Sequence, residues 1–234
     1  YGAEVVLGLA DQYSTDGYQT WGQYINQPYY VSEKSAIEPA YNKEDNSGIV
    51  KILWAPREPT LSFGDSVEFS NFSLQVNDYN RGKGLSHDYF VKLLNDLTVN
   101  VKGKVSQVVI GLEVGEVNNI FLPELTRQLE TLKEMEGEDF KVVTMSDFNR
   151  LYREKTSESP TLLVSSQPNE TYESYWHMSP NYRLGLFVED NQVILKDYRY
   201  YHQNLWRDND QARRDGRHNL SRLVPALVDE VAYG

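Results

Sequence analysis

Between residues 86 and 152 the chain alternates helical and strand-like hydrophobic periods, and this alternation limits the possible folds more than any other feature of the sequence. Ser86 is a good N-cap for a helix running to about Leu97, with Leu85 and Phe90 placed as a hydrophobic staple and Phe90, Leu93, Leu94 and Leu97 as its apolar stripe. "VSQVVIGLE" (105–113) then reads as a strand, and Leu122, Leu125, Leu129 and Leu132 recur at helical spacing to about Met135. "FKVVTM" (140–145) is a strand again, and Ser146 opens the short helix "DFNRLYR". Strand, helix, strand, helix in this order predicts a parallel sheet with right-handed crossovers, hence an α/β fold. Upstream, "EVVLGLA" (4–10), "IVKILWAP" (49–56) and "FSLQVND" (72–78) read as further strands, and residues 11–30 as a long polar-aromatic loop.

After Pro160 the pattern changes. Alternation over 182–188 and 192–200 about "EDN" predicts a β-hairpin. The expected organisation is a (β/α) barrel-like domain over 1–157 and a small β-rich module over 158–234. The first apolar run begins within a few residues of Tyr1, so earlier barrel strands are expected upstream of it.

A net charge of −11, from 34 acidic against 23 basic residues, argues against a nucleic-acid partner, whose phosphates would be repelled. There are no cysteines, which excludes disulfides and thiol chemistry. No apolar run approaches the roughly 20 residues of a spanning helix, so membrane association is expected only through parts outside this chain. The four histidines share no ligand spacing such as H-x-x-x-H, and neither a metal nor another cofactor is expected. A Ser-His-Asp elbow motif is also missing.

In a parallel sheet or barrel, ligands bind where the carboxyl ends of the strands turn into the helices. That rule selects Asp11 after the first strand, Trp54, Arg57 and Glu58 after the second, Asp78 after the short one, and Glu113 after "VVIGL". Carboxylates converging with Trp and Tyr suit glycoside chemistry. One carboxylic acid protonates the leaving oxygen and one carboxylate serves as nucleophile or base, at roughly 5 to 5.5 Å for retention or 6.5 to 9.5 Å for inversion. The catalytic candidates are therefore Glu113, Asp11, Glu58 and Asp78; Trp21, Tyr18, Trp54 and Arg57 are the substrate-binding candidates. Each has a plainer use: solvation of Glu113, pairing of Glu58 with Arg57, bracing of the "NDYNRGKG" loop by Asp78, and core packing of Trp54.

The stretch "VVIGLEVGEVNNIFLPELTRQLETLKEMEGEDFKVVTMSDFNRLY" resembles the last strand-helix-strand segment of the glycoside hydrolase and deacetylase (β/α)7 barrel superfamily, particularly glycoside hydrolase family 57. "VTMSDF" matches that family's helix start, and "ILWAPREP" is similar to its Trp-containing strand end. The resemblance implies a retaining hydrolase with a Glu nucleophile and an Asp acid/base in an Asp-Gly-Glu turn. Here the turn reads Gly111-Leu112-Glu113, so Glu113 has a counterpart and the acid/base Asp does not. The expected function is a carbohydrate-active domain acting on a glycan or oligosaccharide. The alternatives are a non-catalytic glycan-binding or cell-surface module, and a polysaccharide deacetylase relative. A glycan partner and the acidic, Tyr-rich composition point to an extracellular or cell-surface location.

Overall fold

The structure, a computed structural model, describes residues 2–9, 18–54, 56–63, 72–111, 120–201, 213–214, 220–224 and 226–231. Strands β1 (Val5–Leu9), β2 (Tyr18–Trp21), β3 (Tyr29–Ser32) and β4 (Asn46–Trp54) occupy the first quarter of the chain. Helices α1 (His87–Leu97), α2 (Leu122–Met135) and α3 (Met145–Lys155) follow. The remaining strands are β5 (Leu162–Ser166), β6 (Tyr172–Met178), β7 (Tyr182–Glu189), β8 (Gln192–Tyr200), β9 (Arg213–Arg214), β10 (Leu220–Leu223) and β11 (Ala226–Asp229).

The expected parallel (β/α) barrel is not what these residues form. They make two three-stranded sheets, ordered β1-β4-β3 and β2-β10-β9, and a five-stranded sheet ordered β11-β8-β7-β6-β5. Among the described residues only β1 with β4 and β2 with β10 pair in parallel, and every pairing in the five-stranded sheet is antiparallel. The fold is mostly β. The expectation failed because apolar runs alone do not make a ladder: 105–111 and 140–144 join no sheet among the described residues, and 72–78 turns instead into a π-helical segment, Asn77–Gly82. The expected 11–30 loop also differs, since its end holds β2 and β3, and residues 22–32 are buried.

The five-stranded sheet follows from alternation. Trp176, Met178, Arg183 and Phe187 point inward and are at most 3% exposed, while their neighbours in sequence face outward. Gly185 pairs with Trp176 because a Cβ there would sit 2.7 Å from the indole ring. The β7–β8 turn places Asp190 and Asn191 at φ 49° and 60°, the left-handed conformation that Asp and Asn tolerate and two-residue hairpins require.

The inner sheet face meets the Phe90, Leu93, Leu94 and Leu97 stripe of α1, and Leu162, Val164, Trp176, Met178 and Phe187 share that core with Tyr24 and Tyr201. A second cluster joins α3 to the β1-β4-β3 sheet: Phe148 and Tyr152 pack on Tyr30, Val50 and Ile52, with Val5, Val105 and Val109 at its edge. Helix α3 begins two residues earlier than Ser146 suggests, because the Thr144 hydroxyl accepts from the Asp147 amide at 3.2 Å.

Helix α2 is rotated from its expected setting. Leu122 and Leu129 are exposed, and Glu124, Gln128 and Leu132 form the buried stripe. Its inward face is therefore largely polar.

Candidate functional site

Strands β1 and β4 run parallel with Leu9 opposite Trp54, so their carboxyl ends coincide. Gly111 arrives at the same place: a Cβ on it would overlap the Trp54 indole. Trp54 is half-buried. Gly111→Ala is accordingly expected to displace the ring, shift tryptophan emission and cost about 1–3 kcal/mol by overpacking. Unchanged emission and an unchanged urea midpoint would show that the two do not touch.

Beyond Pro56 the chain is fixed by side chains. Asn26, at φ 52°, imitates a strand partner: its amide donates to the Arg57 carbonyl at 2.5 Å, and its oxygen accepts from the Arg57 amide at 3.0 Å. The Arg57 guanidinium pairs with Asp78 at 2.7 Å. The same Asp78 oxygen accepts from the Ser73 hydroxyl at 2.6 Å, while Oδ1 takes the Asn77 amide at 3.2 Å. Asp78 thus braces its loop and also holds Arg57, so the guanidinium pairs with Asp78 and not with its neighbour Glu58.

Glu58 is 2% exposed. Its Oε2 accepts the amides of Thr60 (2.9 Å) and Leu61, closing the 59–62 turn, while Oε1 accepts no hydrogen bond among the described residues. Burial pushes this carboxyl above its ordinary range, against the Leu61 amide, the Ser166 hydroxyl, the Thr60 amide and Lys92. Nearby, burial raises the Tyr89 phenol, the Glu58 charge raises it further, and Arg57 opposes.

A folded-state pKa above the unfolded one means the native state holds an extra proton between the two values. Stability is then lost as pH rises through that window, from about 4.3 upward. Glu58→Gln keeps an acceptor for both amides and has no charge to desolvate. Its stability relative to wild type is expected to increase as pH rises above about 4 in urea titrations. A pH-independent difference would contradict the burial effect.

Asp11 and Glu113 lie outside the described residues. Tyr18 and Trp21 are the two ends of β2, paired with Leu220 and Leu223, and their side chains also lie outside the described residues. The described candidates fall into one neighbourhood, with Trp54, Arg57 and Glu58 along one continuous segment and Asp78 bonded to it. A second polar centre escaped the sequence reading: His87, Glu124, Tyr79, Gln128 and Thr131 bond to one another between α1 and α2. The signal was present in Glu124, Gln128 and Thr131 on one helical face, masked by the leucines beside them.

No family model matches the chain, and no curated protein matches it either. Among solved structures, a protein of Parabacteroides distasonis described provisionally as a glycoside hydrolase/deacetylase superposes with a TM-score of 0.67 at 15% identity, over 98% of this chain and 58% of that one. The chain spans a little over half the length of that structure. It shares the fold of that structure over the matched length.

Proposed function

We propose that this chain is a carbohydrate-active domain that handles a glycan at the end of the β1–β4 pair, with Trp54 as the platform for a sugar face. The observation that carries this reading is the meeting of Leu9, Trp54 and Gly111. Asp11 follows Leu9 by two residues and Glu113 follows Gly111 by two, so each carboxylate is tied in sequence to a group beside the indole. In this reading Asp11 and Glu113 are the paired catalytic carboxyls of a glycoside hydrolase. Arg57, held by Asp78, donates to sugar hydroxyls, and Tyr18 and Trp21 extend the platform. Glu58 acts through the turn it closes. The likeness to a glycoside hydrolase/deacetylase fold supports the substrate class.

A second reading, a non-catalytic glycan-binding module, draws support from Glu58 and Asp78. Two of the four candidate carboxyls are engaged in bracing the backbone and Arg57.

The test is a panel of chromogenic glycosides, polysaccharides and acetylated sugars, scored for turnover and for binding. Asp11→Asn and Glu113→Gln are each expected to lower turnover by about 100-fold or more while binding persists. Binding without turnover in the wild type selects the second reading. Turnover indifferent to both substitutions removes the carboxylate assignment, and neither binding nor turnover of any glycan removes both readings.

A further inference from the structure

Away from Trp54, we propose a second hydrolytic site, for carboxylic esters, in the groove between α1 and α2. Its working parts would be Thr131 as nucleophile, His87 as base and Glu124 as the group that orients the base. The groove has a volume of about 520 Å³ and is walled by His87, Val91 and Asn95 from α1 and by Arg127, Thr131 and Met135 from α2.

Three distances define the arrangement. His87 Nδ1 lies 2.7 Å from Glu124 Oε1, and His87 Nε2 lies 2.8 Å from the Thr131 hydroxyl. A carboxylate can only accept, so Nδ1 donates; in the neutral imidazole Nε2 then carries the lone pair and accepts from the hydroxyl. That tautomer is the one a general base needs, and the order hydroxyl, imidazole, carboxylate is recognised by geometry and not by chain position. Glu124 is itself held: Tyr79 donates to the same Oε1 at 2.6 Å, and Gln128 donates to the Tyr79 oxygen at 3.0 Å. His87 and Glu124 are 9% and 8% exposed, so the pair is shielded while the hydroxyl and one imidazole edge reach the groove.

A network meant only to tie two helices together would not require its hydroxyl terminus to line a cavity. Arg127, one helical turn before Thr131 and 3.5 Å from Glu124 Oε2, faces the same space with Asn95. These two are the donors available to an oxyanion. In the reaction, the Thr131 oxygen adds to the ester carbonyl carbon while its proton moves to His87 Nε2. Collapse of the oxyanion breaks the bond to the alkoxy group, which leaves as the alcohol with that proton. Water, deprotonated by His87, then cleaves the acyl-threonine to free acid and returns the proton to Thr131.

The experiment uses p-nitrophenyl acetate and a fluorophosphonate probe on the intact chain. Release of nitrophenol and a mass-mapped phosphonyl adduct on Thr131 are expected. Thr131→Ala should abolish the adduct and lower turnover about 100-fold or more, Thr131→Ser should retain activity, and Glu124→Gln should lower kcat about 10-fold at unchanged KM. Absence of both turnover and a Thr131 adduct in the wild type overturns the proposal, as does full turnover in Thr131→Ala. Should Thr131→Ala fail to fold, the adduct on the wild-type chain decides the question alone.

Discussion

Asp197→Asn is expected to destabilise the protein by about 3–5 kcal/mol, the cost of breaking a buried ion pair by removing one partner. Asp197, Arg183 and Arg199 are all 0% exposed. Asp197 accepts from Arg183 Nε at 2.9 Å and Nη2 at 2.7 Å, and from Arg199 Nε at 2.9 Å. The guanidiniums reach further: Arg183 Nη1 donates to the Gln23 carbonyl at 2.7 Å, and Arg199 donates to Val224 and to Asp229. One carboxylate therefore ties β7 and β8 to the segment after β2 and to the chain end. An amide in its place leaves two guanidiniums facing a neutral group in the interior. At about 2–4 °C per kcal/mol for a chain of this size, the melting temperature should fall by roughly 6–20 °C. A fall below about 2 °C would show that water reaches the cluster.

The same residue sets an acid limit. Burial pushes the Asp197 carboxyl up, but Arg183 and Arg199 outweigh burial and hold it below its ordinary range. A folded pKa beneath the unfolded one stabilises the protein above the unfolded value, about 3.9, and that contribution is lost as pH falls through the folded value. The wild type should therefore lose stability below about pH 4 more steeply than Asp197→Asn.

Trp176→Ala is expected to cost about 3–5 kcal/mol, by loss of buried surface and formation of a cavity. The indole is 0% exposed, with Phe63 at 4.6 Å and Phe187 at 5.5 Å between ring centroids and the Arg183 guanidinium 5.1 Å from its centre. Its N–H donates to the Pro59 carbonyl at 2.8 Å. That bond and those of Thr60 to Ser166 (3.0 Å) and Ser174 (2.7 Å) pin the turn closed by Glu58 onto the five-stranded sheet. Loss of the ring should thus also weaken the glycan binding proposed for Arg57, two residues before Pro59. Because Arg183 touches both Trp176 and Asp197, the double substitution should cost less than the two single costs added together. Urea unfolding of the two single variants and the double variant measures this directly. Simple additivity would separate the two networks.

These features differed in how far the sequence disclosed them. The β7–β8 hairpin and α1 were legible because each is set by a local period and a local turn, and Asp190 and Asn191 occupy the positions that "EDN" marked. The barrel was not. Val105, Val108, Val109 and Ile110 are apolar because they pack against two hydrophobic clusters, and such a run does not say whether its backbone joins a ladder. Helix α2 misled for a related reason, since Leu122 and Leu129 of its leucine repeat face outward while Glu124 and Gln128 are buried by partners distant in sequence, Tyr79 and His87. Arg183, Asp197 and Arg199 carry no sequence mark of burial, and only three-dimensional pairing makes them core. At the candidate site the strand-end rule singled out Trp54 and Arg57 from a barrel that these residues do not form. It could not foresee that Asp78 would hold Arg57 or that Glu58 would be sealed within a turn.

The most direct measurement of the central claim is glycan affinity in Trp54→Ala, taken by calorimetry against a ligand that the wild type binds, with folding verified by circular dichroism. An affinity loss of about tenfold or more in a folded variant is the expected result, as for an aromatic anchor at the middle of a binding surface. Undiminished affinity in a folded Trp54→Ala protein would contradict a glycan site at the end of the β1–β4 pair.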